Sequence, residues 1–274
     1  MSFTVIRANT MASLSRNILE QVSRRAAKTL LALTSGKRIN STEDDASGFS
    51  MARGMEARRR GLRQALANIN NAESLLNIAA GTYSVITEGI MRLKELLMQG
   101  ADDSFSAPQR AAIQGQVDAI VAEVDDTVNT STYQGNTLLD GSFTGKRFQV
   151  GEEAGDSLVI NLDDVRAATL GINGLDASSN ATATIGLTAI DAALDVLLSA
   201  MQSTGEVLMR INSKQDITRK MIVSIEATRS RIEDVDFARE QMNLARINLI
   251  RELGFASMKE AVVAPQQVLS LFAQ

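Results

Sequence analysis

The sequence predicts a mainly α-helical fold, a long coiled-coil hairpin that packs the N-terminal half of the chain against the C-terminal half, with a small β-hairpin region in the middle. Three observations predict it. Hydrophobic residues make up 45% of the 274 positions but aromatic ones only 4%, with no Trp, which is the composition of long packed helices rather than of sandwiches. Only Pro108 and Pro265 occur as prolines, so nothing in the first 107 residues must break a helix. Apolar residues recur three and four apart through most of both halves.

In the first segment Leu14, Ile18, Val22, Leu30 and Leu33 recur at helical spacing, and Thr34-Ser35-Gly36 ends the pattern. The polar stretch from Lys37 to Gly48 reads as a loop. From Phe49 the stripe resumes with Leu62, Leu66, Ile69, Leu76, Ile86, Ile90, Leu93 and Leu97. A continuous helix from there to Gln99 spans roughly 75 Å at 1.5 Å per residue, which requires helical partners. Gly100 to Asp103 closes it, and Ser106 and Pro108 open another helix carrying Ile113, Val117, Ile120, Val124 and Val128. Between about 130 and 176 the pattern changes to Gly-rich turns with short alternating runs, Arg147 to Val150 and Ser157 to Leu162, which read as a small β region. The small, polar stretch from Asn173 to Thr184 reads as an exposed loop. A second long helix is expected from about Thr188 to Asp234, with Leu194, Leu198, Met201, Leu208, Ile211, Ile222, Ile225 and Ile232 on one face. The last segment carries Met242, Leu249, Leu253, Val262 and Leu269, and Pro265 is expected to interrupt it.

The chain has no His and no Cys, which removes the commonest general base, the commonest metal ligand and the thiol nucleophile. No catalytic, cofactor-binding or metal-binding residue is assigned, and no enzyme is expected. Residues 1–64 hold twelve Lys and Arg against five acids, while residues 101–200 hold four against fifteen. The basic run Arg58, Arg59, Arg60 and Arg63 lacks an aromatic platform, so a solvated or subunit-pairing face is expected rather than a nucleic-acid site. Met1 to Asn9 has no apolar run of the kind that a cleavable signal needs. No stretch of about 18 uncharged apolar residues is seen, so no membrane insertion is expected.

The run from Leu33 to Ser41, Leu-Thr-Ser-Gly-Lys-Arg-Ile-Asn-Ser, followed by Asp44-Asp45-Ala46-Ser47-Gly48, resembles the N-terminal signature of bacterial flagellins. Two further matches follow in order, Ser230 to Ala238 and Ala264 to Leu271. Thr132 to Leu139 is similar to the family's turn after its second helix, and Gln149-Val150-Gly151 to its short hairpin. The large variable outer domains are missing, so the resemblance is to a minimal flagellin.

The resemblance implies a structural subunit that polymerises into the flagellar filament for swimming. The alternative is a hook-filament junction protein of the same export system, against which the Ile39-Asn40-Ser41 and Asp44-Asp45-Ala46 runs weigh. Residues 1–42 and 235–274 are then expected to form an inner-tube coiled coil, and 43–234 an outer-tube helical domain. The implied inner-tube assembly residues are Leu14, Ile18, Val22, Leu30, Leu33, Met242, Leu249, Leu253, Val268, Leu269 and Leu271. The implied spoke between the layers carries Gly36, Arg38, Asn40, Asp44 and Asp45. Partners are other copies of the chain, flagellar cap and junction proteins, an export chaperone and the type III flagellar export apparatus. The expected location is the extracellular filament, reached without a cleavable signal peptide.

The family's contact with an innate immune receptor resembles Arg92, Glu95 and Leu96 here, together with Gln116. Met91 stands where responsive members have Gln, and Gln116 where they have Glu, so weakened recognition is expected. Ser178, Ser179, Thr182 and Thr184 are candidate glycosylation positions by the same resemblance. Stripes as long as these at both chain ends cannot satisfy every face within one copy, so self-association is expected on geometry as well.

Overall fold

The computed structural model describes residues 9–271, with side chains through residue 263. Helix α1 (Thr10–Ser35) starts where the Asn9 side chain accepts the Ala12 N–H at 2.9 Å. It ends where Gly36 turns left-handed at φ 73. Helix α2 (Ala46–Gly100) is capped by Asp45, whose Oδ1 accepts the Gly48 N–H at 2.9 Å. Its 55 residues reach roughly 80 Å. Helix α3 (Ala107–Thr130) has Pro108 in its first turn and Gln109 reaching back to accept the Ser106 N–H at 2.9 Å.

Two antiparallel hairpins follow. Strands β1 (Thr132–Tyr133) and β2 (Asn136–Thr137) are joined at Gln134 and Gly135, with φ 49 and 82, the positive pair that a tight hairpin requires. Strands β3 (Lys146–Gln149) and β4 (Ser157–Ile160) pair Lys146 with Ile160 and Gln149 with Ser157. Helix α4 (Asn180–Glu233) and helix α5 (Phe237–Leu271) complete the chain. The mainly helical fold with a small β region is as the sequence predicted.

The chain divides into two compact units, residues 58–223 and residues 1–57 with 224–274. In the first, the buried side of α2 runs through Leu62, Ala65, Ile69, Ala72, Leu76, Ala79, Tyr83, Ile86, Ile90, Leu93 and Leu97. The steps alternate three and four, the coiled-coil period. Ile69 onward joins one core with Val117, Val124 and Val128 of α3, Leu158 and Ile160 of β4, and Ile190, Ala193, Leu197 and Ile211 of α4. Polar pairs fix α2 against α4 in antiparallel register. Gln215 Nε2 donates to Asn70 Oδ1 at 2.8 Å, and Lys94 Nζ meets Asp191 Oδ1 at 2.6 Å.

Several expectations need correction. Ala65 rather than Leu66 occupies the seam of α2, and Leu197 rather than Leu198 that of α4, where Leu198 is 56% exposed. Helix α4 begins at Asn180, not near Thr188, because Ser179 and Thr182 cap it reciprocally, each accepting the other's N–H at 3.2 Å. The stretch before it is no free loop. Leu175 and Ala177 are buried, and Gln114 grips both, donating to Leu175 O at 2.8 Å and accepting the Ala177 N–H at 2.7 Å. Pro265 does not interrupt the last helix, since α5 continues through it to Leu271. Finally, α4 is long and apolar enough to cross a membrane by length and composition alone. Its Ile190, Ala193, Leu197 and Ile211 belong to the core, and the expectation of no uncharged apolar run of about 18 residues stands.

Candidate functional site

Within the unit of residues 1–57 and 224–274, α1 and α5 pack antiparallel. On α1 the least exposed line runs Ala12, Ser15, Leu19, Val22, Ala26, Thr29 and Ala32, with Leu33 half-buried beside it; on α5 it runs Glu240, Leu244, Ile247, Arg251, Gly254, Met258 and Ala261. Both advance by steps of three and four, as a coiled-coil seam does. The seam is made largely of small and polar residues. A Cβ on Gly254 would stand 2.9 Å from Leu19 Cδ2, so glycine there lets Leu19 seat against the α5 backbone.

Many of the large apolar side chains lie on other faces. Leu14, Ile18, Leu30, Met242, Leu249 and Leu253 are all exposed, Leu253 by 70%. Met11, Leu31, Ile250 and Phe255 join them. Of the other expected assembly residues, Val22 is half-buried in the seam and Leu33 beside it, and the side chains of Val268, Leu269 and Leu271 lie outside the described residues. A groove of about 350 Å³ borders this face, lined by Val22, Arg25, Leu31, Arg246, Ile247 and Ile250 among others.

The spoke residues build a polar clamp at the other end of α1. The Gly36 carbonyl accepts the Val235 N–H at 3.0 Å, and the Arg38 N–H reaches Glu233 O at 2.7 Å. Arg38 Nη2 donates to Ile232 O at 2.7 Å. The Glu233 side chain, 4% exposed, receives Lys37 Nζ at 2.7 Å and Arg229 Nη1 at 2.6 Å. Removing either cation leaves a buried carboxylate undercompensated, which is the costly way to break such a pair.

Asp44 organises the loop itself. Its Oδ2 accepts the N–H groups of Asn40 and Ser41 at 2.9 and 3.1 Å, and its Oδ1 meets Lys28 Nζ at 2.7 Å. The hydrogen bond from Lys28, with the two backbone donors, pulls the Asp44 pKa down from 3.8 to about 2. Asn40 is tied in turn through Nδ2 to Lys37 O at 2.9 Å. Gly48 has no room for a side chain, since a Cβ would stand 2.7 Å from Cδ1 of buried Ile39.

Sequence reasoning missed Asn9, Lys28, Lys37, Arg229 and Glu233 as members of these sites. Asn9 is the most instructive. Pro265 has no N–H to give the Ala261 carbonyl four residues before it, and Asn9 Nδ2 donates to that carbonyl at 2.8 Å. One side chain thus caps α1 with its oxygen and satisfies α5 with its nitrogen. Each half of this signal is legible locally, Asn before a helix and Pro four residues after an Ala. Their pairing across 252 positions is not.

In the unit of residues 58–223, Arg92 and Glu95 lie exposed on α2, Leu96 packs half-buried against the core, and Gln116 is exposed on α3. Arg92 lines a groove between α2 and α3 with Gly89, Ile120 and Glu123. Of the hydroxyls proposed for modification, Ser179 and Thr182 engage each other at 2.9 Å, and exposed Thr184 donates to Asn180 O at 2.8 Å. Ser178 is exposed.

Comparison with known proteins finds two matching families: the bacterial flagellin N-terminal helical region over residues 6–144 and the bacterial flagellin C-terminal helical region over residues 187–272. Flagellin B of Vibrio anguillarum is 32% identical over 62% of this chain, which spans 45% of that protein. The flagellin of Halalkalibacterium halodurans is 28% identical, covering 89% of this chain and 90% of its own length. The flagellar filament 33 kDa core protein of Treponema phagedenis is 28% identical, covering 97% and 99%. Among solved structures, Bacillus cereus flagellin superposes with a TM-score of 0.51 at 21% identity over 55% of this chain and 88% of that one. A putative flagellar hook-associated protein from Vibrio parahaemolyticus gives 0.60 at 14% over 70% and 100%. At such identities these two likenesses speak for the fold alone.

Proposed function

The chain belongs to the bacterial flagellin family, and from that premise we propose how this filament subunit assembles: through the outward apolar faces of α1 and α5. The family is structural, and the protein is not an enzyme. The observation that carries the proposal is the number of large apolar residues that α1 and α5 leave exposed. The seam mixes small and polar residues with Leu19, Val22, Leu244 and Ile247, while Leu14, Ile18, Leu30, Met242, Leu249 and Leu253 are left exposed. Exposed large apolar residues in this number on two paired helices point to an interaction surface. Heterologous contacts between identical copies that do not close into a ring give an open helical polymer.

In this reading residues 1–42 and 235–274 take the inner-tube role, 43–234 the outer-tube role, and the Asp44 and Glu233 clamps stiffen the spoke. The filament is extracellular. Cap and junction proteins meet the chain at filament ends, and an export chaperone and the type III export apparatus handle it beforehand. The test is the double variant Leu249→Asp with Leu253→Asp. Sedimentation and electron microscopy should find it monomeric at concentrations where the parent forms filaments, with helical content from α2 and α4 retained. Filaments formed at the parent's concentration would refute the assignment of the face.

A further inference from the structure

Between Gly171 and Asp176 the chain turns a tight corner that is anchored on both sides. Buried Ile172 donates its N–H to Ala167 O at 3.0 Å, and buried Leu175 gives its carbonyl to Gln114 Nε2 at 2.8 Å. The two residues between them, Asn173 and Gly174, are exposed. Gly174 has φ 83, and no atom lies within 4 Å of where its Cβ would be. Among the described residues no hydrogen bond engages the Gly174 N–H or the Asn173 side-chain amide. A glycine after asparagine offers an unhindered, conformationally free nitrogen within reach of the side-chain carbonyl carbon.

We propose that Asn173 is a site of spontaneous deamidation in the folded protein, with Gly174 N as the attacking atom. The Gly174 N–H loses its proton to solvent, the bond from its nitrogen to Asn173 Cγ forms, and the Cγ–Nδ2 bond breaks with release of ammonia. Water then opens the cyclic imide. Cleavage at Cγ gives aspartate, and cleavage at the main-chain carbonyl gives isoaspartate, whose backbone runs through the former side chain. The net reaction is amide plus water to carboxylate plus ammonium, and no other reactant is needed.

The fold guards three other asparagines that precede a small residue. Asn40 precedes Ser41, but the Ser41 N–H is held by Asp44 Oδ2 at 3.1 Å and the Asn40 amide by Lys37 O at 2.9 Å. Asn71 with Ala72 and Asn212 with Ser213 lie within α2 and α4, where the following N–H belongs to the helical ladder. The consequence at the corner is local and definite. Isoaspartate lengthens the main chain between two anchored residues and adds a carboxylate near Asp176, so it strains the Leu175 grip of Gln114 at the start of α4.

The full chain, folded and incubated at mildly alkaline pH, is sampled over days, digested and mapped by mass spectrometry with fragmentation that separates isoaspartate from aspartate. The peptide holding Asn173 should convert first, to both products, while the Asn40 peptide stays intact. Asn173→Gln should abolish the conversion and Gly174→Ala should slow it severalfold. In denaturant, Asn40 should lose its protection. Persistence of intact Asn173 while another asparagine converts would overturn the proposal, as would an unchanged rate in Gly174→Ala.

Discussion

Along α2 the alternation of three and four buries Ile69, Leu76, Tyr83, Ile86, Ile90, Leu93 and Leu97 with Ala65, Ala72 and Ala79 among them, whereas along α1 steps of three and four place Ala12, Ser15, Ala26, Thr29 and Ala32 inward with Leu19 and Val22 as the larger members. The periods are similar and the contents are not. Period decides which side of a helix faces its partner; side-chain size decides whether that partnership is self-sufficient. Fully burying a Leu or Ile is worth about 1.5–3 kcal/mol, so the seam of residues 58–223 can hold its unit alone. The α1–α5 seam buries less apolar bulk and leaves many of its large side chains to a surface outside the chain.

The largest effect expected from this contrast is on polymerisation. Truncation after Ser257 removes Met258 and Ala261 from the seam and the carbonyl that Asn9 grips. Sedimentation should find a monomer whose circular dichroism is still helical; ready polymerisation would show that the paired ends do not drive assembly. Next in size, Leu93→Ala, at a wholly buried position, should cost about 2–5 kcal/mol in thermal or denaturant unfolding. Leu14→Ala, on an exposed residue, should leave monomer stability nearly unchanged and raise the concentration needed to polymerise.

Recognition by the innate immune receptor comes third. If Met91 and Gln116 stand where responsive flagellins have Gln and Glu, as the family resemblance implies, the loss of one charge-assisted hydrogen bond would cost about 1.5–3 kcal/mol, more than tenfold in affinity. A reporter assay beside a responsive flagellin should show reduced potency, and full potency would reject the residue assignment.

Acid gives the smallest effect, because both units hold depressed carboxylates, Asp44 in one and Asp102, Asp140, Asp164 and Asp176 in the other. Asp44 is lowered to about 2 by Lys28 and backbone donors, and Asp164 to about 2 by its hydrogen bonds from Arg166. Both are easier to protonate when unfolded, so their stabilisation is present above the unfolded value of 3.8 and is lost as pH falls toward 2. Asp44→Asn should flatten that loss in α1 and the spoke, read by hydrogen exchange, and leave residues 58–223 as acid-sensitive as before.

Helix identity, the turns at Gly36 and Gly135, and the start of α3 were legible because each has a local cause. The seams were legible only to within one residue. Leu14 and Ile18 mark the most apolar side of α1, but Ser15 and Leu19 mark its inner side, and size alone cannot tell burial within a copy from burial between copies. Lys37 with Glu233, 196 positions apart, leaves no local trace. The beginning of α4 was missed because the polar residues before it were read as loop, when Ser179 and Thr182 are a helix cap.

Amide hydrogen exchange on verified monomer, resolved by segment and repeated on filaments, tests the central claim most directly. In the monomer α1 and α5 should exchange with little protection while the core-facing parts of α2 and α4 exchange slowly, and in the filament all four should be protected. Equal, strong protection of α1, α5, α2 and α4 in the monomer would contradict the account, because the small-residue seam would then suffice without neighbouring copies.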